Sequence, residues 1–188
     1  NKIRPKYLST ENSFLISSGS RLVYDKGYDL LLKAISKIDR KNKKKIMVVI
    51  VGSGHERSKL IAQAKKLKIE NNIIFKEWMD IEDFKSLILS SDLFCHPARF
   101  DAYGGSTLAM AAGVPVIGSK TAGAALDRIV HKKNGLLYNF DDIKTLSKYI
   151  TFLLNNPDVT KKMGKEAFRT ALSWMPSKGC KIILYSKI

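Results

Sequence analysis

Two stretches of the chain hold most of the side chains able to do chemistry. Residues 19–27 read Gly-Ser-Arg-Leu-Val-Tyr-Asp-Lys-Gly, which sets Arg21 and Lys26 just ahead of an apolar, periodic segment, with Ser20 beside them. Residues 96–107 read His-Pro-Ala-Arg-Phe-Asp-Ala-Tyr-Gly-Gly-Ser-Thr, so that Asp101 and Tyr103 precede Gly104 and Gly105, and Ser106 and Thr107 open a second periodic segment. A helix N-terminus offers unpaired N–H groups and a partial positive charge, and glycine lets a phosphate approach the backbone closely. Fixed cations beside such a backbone hold an anion without a metal, and a guanidinium suits two phosphate oxygens at once. The chemistry indicated is the binding of a phosphate-bearing ligand.

Each feature alone has a plainer account. Arg21 and Lys26 could be solvated loop cations, and Asp101 could cap the helix that follows it. His96 reads as a hydrogen-bonded strand-end histidine rather than a metal ligand, because the three histidines form no ligand cluster, and no metal site is expected. Gly52-Ser53-Gly54 is a weak phosphate-loop signal, lacking both the third glycine of a dinucleotide fingerprint and the Lys-Ser/Thr of a P-loop. Co-location carries more weight than any member.

The elements that must position these loops follow from short β-branched runs alternating with amphipathic stretches. That pattern predicts a Rossmann-like, doubly wound α/β domain with a parallel sheet of about six strands. Strands are expected at residues 14–18, 46–51, 73–75, 92–95, 114–118 and 135–138. Helices are expected at about 27–38, up to 67 after the Gly52–Gly54 turn, 81–90, 105–112, 142–154 and 159–173, with Pro157 separating the last two and Asp158 at an N-cap. In such sheets the ligand lies beyond the carboxyl ends of the strands, at the switch point, here between strands one and four. The two loops above leave those two strands.

Composition bounds the reading. A chain of 188 residues can bury roughly 70% of its unfolded surface and support a complete core without disulfides or metals. At 45% hydrophobic and 27% charged it resembles a soluble globular domain, and no apolar run approaches the ~18 residues of a membrane span. The two cysteines, Cys95 and Cys180, have no CxxC spacing and read as reduced thiols of a cytosolic protein. The 33 basic against 17 acidic residues give a formal net charge of +16, carried by runs such as residues 41–45. Lysine dominates and no aromatic-interleaved basic stripe occurs, which argues against nucleic acid and leaves an anionic substrate or an anionic membrane surface as partners. Without an initiator Met, the chain reads as an excised domain, with residues 1–13 a linker from a missing N-terminal domain, 14–175 the binding domain and 176–188 a tail or helix.

Residues 20–27 with Leu30 to Ala34, the Val49-Ile50-Val51-Gly52-Ser53-Gly54 turn, Ser91 to Pro97, Asp101-Ala102-Tyr103-Gly104 and Met110 to Ile117 together resemble the motifs, in order, of glycosyltransferase family 4. The similarity is to the C-terminal, donor-binding domain of that two-domain GT-B group and spans residues 14–155. The resemblance implies a retaining, metal-independent hexosyltransferase of cell-surface polysaccharide or lipopolysaccharide assembly, cytoplasmic or peripheral on the inner face of the membrane. It takes a UDP- or GDP-linked sugar as substrate, needs no cofactor, and delivers to a glycan or lipid-linked acceptor. It also implies that Arg21 and Lys26 hold the diphosphate and share catalysis with Asp101, whose loop faces the donor sugar. Ser20, Tyr103, Gly104, Gly105, Ser106 and Thr107 would line the site, and Gly52 and Gly54 would border the base. The chain departs from the family at the ribose-gripping glutamate eight positions after the first acid, where Ala109 stands. Read back from Met110, that glutamate is missing between Leu108 and Ala109, as though one residue were deleted, which would rotate what lies upstream by about 100°. A degenerate nucleotide-binding domain is therefore the alternative. A nicotinamide domain is disfavoured, because strand one lacks a glycine fingerprint and strand two lacks an acid placed for ribose.

Overall fold

The computed structural model describes residues 4–8 and 14–174. Its strands are β1 (Phe14–Gly19), β2 (Ile46–Val51), β3 (Ile73–Lys76), β4 (Leu93–His96), β5 (Val116–Ser119) and β6 (Gly135–Tyr138). Its helices are α1 (Arg4–Tyr7), α2 (Tyr28–Ser36), α3 (Arg40–Lys43), α4 (Arg57–Lys66), α5 (Ile81–Leu89), α6 (Ser106–Ala111), α7 (Gly123–Arg128), α8 (Ile143–Asn155) and α9 (Pro157–Leu172). The strands pair in parallel in the order β3-β2-β1-β4-β5-β6, which is the expected doubly wound sheet with its reversal between β1 and β4.

Side-chain alternation along each strand builds the two outer layers. Phe14 and Ile16 of β1, Val48 and Ile50 of β2, Leu93 and Cys95 of β4 and Ile117 of β5 face one side, where Leu31 and Ile35 of α2, Leu60 of α4 and Leu146 and Ile150 of α8 cover them. Phe94 and Val116 face the other side, packed with Ile88, Met110 of α6, Ala125 of α7 and Ala167 of α9. Leu15, Val49 and Val51 share that face with Leu87 and with Tyr7 of α1, which lies within the stretch read as a linker. The Cys95 thiol sits at the centre of the sheet, and burial pushes its pKa well up.

Several expected boundaries move for identifiable reasons. β5 starts at Val116 rather than 114 because Pro115 has no N–H to give to a ladder. β4 runs on to His96. Pro157 opens α9 rather than separating it from α8, so the helix starts two residues earlier than expected, Asn156 takes the cap position and Asp158 lies in the first turn. Asp142 caps α8 by accepting from the Thr145 N–H at 2.9 Å. The short α3 and α7 were not expected. The tail at 176–188, with Cys180, lies outside the described residues.

Helix α2, which follows the first loop, packs against both α4 and α8. Leu31 of α2 is fully buried. Leu31→Ala should lower unfolding free energy by about 2–5 kcal/mol, as other buried Leu→Ala changes do. Denaturant unfolding measures it, and a loss under about 1 kcal/mol would show that the packing collapses around the gap.

Candidate functional site

The loops after β1 and β4 are tied to one another before any ligand arrives. The backbone N–H groups of Arg99 and Phe100 both donate to the Asp25 carbonyl, at 2.8 and 3.1 Å. The Arg99 guanidinium donates to both carboxylate oxygens of Asp29 at 2.6 and 2.7 Å and to the Tyr24 carbonyl at 2.9 Å, and it stacks 4.0 Å from the centre of the Tyr24 ring. This is a fork-to-fork pair, the strong form of an Arg–carboxylate contact. Burial favours the neutral acid at Asp29, but the hydrogen bonds and charge of Arg99 outweigh it and hold the carboxyl below its ordinary range. Gly27 closes the first loop with φ +66°, and a Cβ there would overlap the Pro97 carbonyl oxygen of the second. Only glycine meets both demands.

Inside this frame lies a buried polar chain. Lys26 Nζ is 2.8 Å from Asp101 Oδ1, and His96 Nε2 is 3.0 Å from Asp101 Oδ2. His96 Nδ1 is 2.7 Å from the Ser106 hydroxyl. All four side chains are buried. A proton on Nε2 lets His96 donate to Asp101, while Nδ1 meets the Ser106 hydroxyl. Burial alone would raise the Asp101 pKa, yet the hydrogen bonds and charges of His96 and Lys26 hold it below the ordinary value of 3.8. Asp101 therefore does not cap α6. Its two oxygens are both engaged, and it fixes the position of the Lys26 ammonium. Gly104 lies against this group, where a Cβ would come within 2.8 Å of His96 Cε1.

The other expected site residues fall around this chain. Ser20, Gly19 and Arg21 line a pocket of about 360 Å³ together with Trp78, Ile81 and Leu108. Arg21 is exposed there, and among the described residues no acid pairs with it. Gly52 and Gly54 press on the Ser20 and Leu22 carbonyls, and Leu22 N–H donates to the Ser53 carbonyl at 2.8 Å, so the β2 turn buttresses the first loop. Gly105 packs on the Phe94 ring, and Thr107 is half-buried in the first turn of α6. Tyr103 points away to solvent, its hydroxyl accepting from Arg128 Nε at 2.9 Å. The structure thus pairs Lys26 with Asp101, links Asp101 to Ser106 through His96, sets Ser20 and Arg21 in a pocket with Leu108, and leaves Tyr103 exposed.

Three contributors escaped the sequence reading. Arg99 pairs with a partner 70 positions away, a contact no local pattern reveals. His96 was recognised as hydrogen-bonded, but not as the link between Asp101 and Ser106. Trp78 stands 76% exposed in the segment after β3, and a large aromatic at the carboxyl end of a strand was the signal available. The anticipated register problem in α6 also takes a definite form: Ala109 is buried in the core, while Leu108 faces the pocket.

A carboxyl with a depressed folded pKa stabilises the fold above its unfolded value, and that contribution is lost as pH falls through the folded value. Asp101 and Asp29 both have this sign. Stability should fall as pH drops below about 4, and Asp101→Asn should be less stable at pH 7 yet lose less on acidification, with Asp29 supplying the remaining slope. Thermal unfolding of both proteins between pH 7 and 3 measures this, and parallel curves would refute it.

The family model for glycosyl transferases group 1 matches residues 1–170. A GDP-mannose-dependent monoacylated alpha-(1-6)-phosphatidylinositol monomannoside mannosyltransferase from Corynebacterium glutamicum is 31% identical over 86% of this chain and 43% of its own length. Anabaena HepE, solved in complex with UDP, matches with a TM-score of 0.81 and 25% identity over 90% of this chain and 46% of that one. The C-terminal domain of the group 1 protein LpcC from Francisella tularensis shares the fold, with a TM-score of 0.77 at 20% identity over 86% of this chain and 85% of that one. The chain spans between 29% and 45% of the length of the first curated relatives it matches. A six-stranded doubly wound sheet, two tied loops at its reversal and a family match over nine-tenths of the sequence lead to one assignment: the chain belongs to the glycosyl transferases group 1 family, with the fold of a GT-B C-terminal domain.

Proposed function

We propose that this chain is the donor-binding half of a hexosyltransferase that moves a sugar from a UDP- or GDP-linked carrier, with retention and without a metal, to a glycan or lipid-linked acceptor. The observation that carries the reading is the junction of the two loops at the β1/β4 reversal, where Asp101 holds Lys26 and the exposed Arg21 of the same first loop lines a pocket. Breaking the anomeric bond develops negative charge on the leaving diphosphate, and fixed cations stabilise that charge as it forms. Arg21 is placed to grip the diphosphate, Trp78 offers a plate for the base, and Lys26 with Asp101 stands on the side where the sugar would lie. UDP bound to HepE and the GDP-mannose dependence of the Corynebacterium relative support a nucleotide-sugar donor and leave the base open. The acceptor site would come from an N-terminal domain closing over these loops, in a cytoplasmic enzyme of polysaccharide or lipopolysaccharide assembly. A domain that binds nucleotide without turnover is the second reading, favoured by Leu108 and Ala109 where a carboxylate is expected.

Isothermal titration of this chain with UDP and GDP in the presence of EDTA tests the donor site. Arg21→Ala should weaken binding by roughly tenfold or more, the scale of a lost charged hydrogen bond, while Lys41→Ala leaves it unchanged. Binding that needs a divalent ion, or that ignores Arg21, would refute this site.

The exposed cations Arg40, Lys41 and Lys44 form a basic patch around the end of α3. We assign this patch to an anionic membrane surface, which would keep the enzyme near a lipid-linked acceptor. Co-sedimentation with phosphatidylserine vesicles should fall steeply between low and physiological salt, since adsorption of this kind is screened. Adsorption that does not respond to salt would refute it.

A further inference from the structure

We propose that this chain binds its nucleotide without reading the ribose hydroxyls, and that Leu108 is the residue that makes it so. The inference rests on the pocket beside Arg21 being the nucleoside end of the donor site. A ribose offers two adjacent hydroxyls as donors, and the protein group that reads them best is a carboxylate, which can accept from both.

Among the described residues lining this pocket, Arg21 alone is charged and none is an acid. Leu108 is the residue of α6 that reaches it, half-buried and in the first turn of the helix. Its neighbours on α6 are committed elsewhere: Ser106 to His96, and Ala109 and Met110 to the core. The acids that flank the lining residues in sequence, Glu77, Asp80, Glu82 and Asp83, are all exposed and none lines the pocket. Asp101 is held on both oxygens by Lys26 and His96, and Asp80 accepts from the Asp83 N–H at 2.8 Å to cap α5. What remains is Arg21 with its neighbour Ser20 for phosphate, an indole plate for a base, and a wall that is otherwise apolar, made by Met79, Ile81, Phe84 and Leu108.

An apolar wall neither rewards a hydroxyl strongly nor penalises its loss, whereas a site built to hydrogen-bond a hydroxyl rejects the analogue that lacks it by orders of magnitude. The chain should therefore bind UDP and 2′-deoxy-UDP with affinities within about threefold of each other. Leu108→Glu places a carboxylate in the first turn of α6, where the helix dipole favours it, and should create a preference for UDP of about tenfold or more.

Isothermal titration of both nucleotides into the native chain and into Leu108→Glu tests this. Near-equal binding by the native chain, with a preference gained in the variant, is the expected result. A tenfold preference for UDP in the native chain overturns the inference while leaving the donor site standing. A folded Leu108→Glu that still treats the two alike also overturns it. No binding of either nucleotide to the native chain overturns the donor-site reading and this inference with it. Should the variant fail to fold, the native comparison decides alone.

Discussion

Everything at the top of this sheet depends on the tie between Arg99 and Asp29. Strands β1 and β4 are neighbours in space but 70-odd residues apart in sequence, so the loops that leave them can be tied only by contacts made across the fold. The bidentate pair, the two N–H groups on the Asp25 carbonyl and the stacked Tyr24 ring lock one loop onto the other. With that frame fixed, Lys26 can be brought to Asp101 with little remaining freedom. A flexible lysine would lose much of its affinity for an anion to the cost of ordering its side chain. Here the ordering is done by the fold rather than by the ligand, which is the general basis of preorganised charge stabilisation.

The buried chain from Lys26 through Asp101 and His96 to Ser106 also explains why a net-basic protein carries an acid at the heart of an anion site. An unpaired ammonium with so little exposure would be expensive to keep charged. Pairing it with a carboxylate removes that penalty, and the histidine satisfies the second oxygen. The excess positive field then comes from Arg21, which stays open to solvent.

Much of this was legible in the sequence. The parallel sheet and its reversal followed from short β-branched runs alternating with amphipathic stretches, and the two loops were identified from Arg21, Lys26, Asp101 and the paired glycines. What stayed hidden was either too short or too distant. α7 has six residues, less than two turns, so it has no periodicity to detect. β5 looked longer than it is because Val114 and Pro115 are apolar but cannot both join a ladder. Arg99 appeared as one more loop cation because its partner lies on another element. The register of α6 was visible only as a missing residue, and coordinates were needed to show that Leu108, and not Ala109, faces the pocket.

The linkage of Lys26, Asp101, His96 and Ser106 bears on how such a site can change over generations. Each member is buried and holds its neighbour, so the loss of one leaves another without a partner, and a second loss then does less harm than it would alone. Substitutions within the group are strongly epistatic. Drift through this centre is confined to paired exchanges, while the pocket wall at Leu108 and the exposed Tyr103 are free to vary one residue at a time.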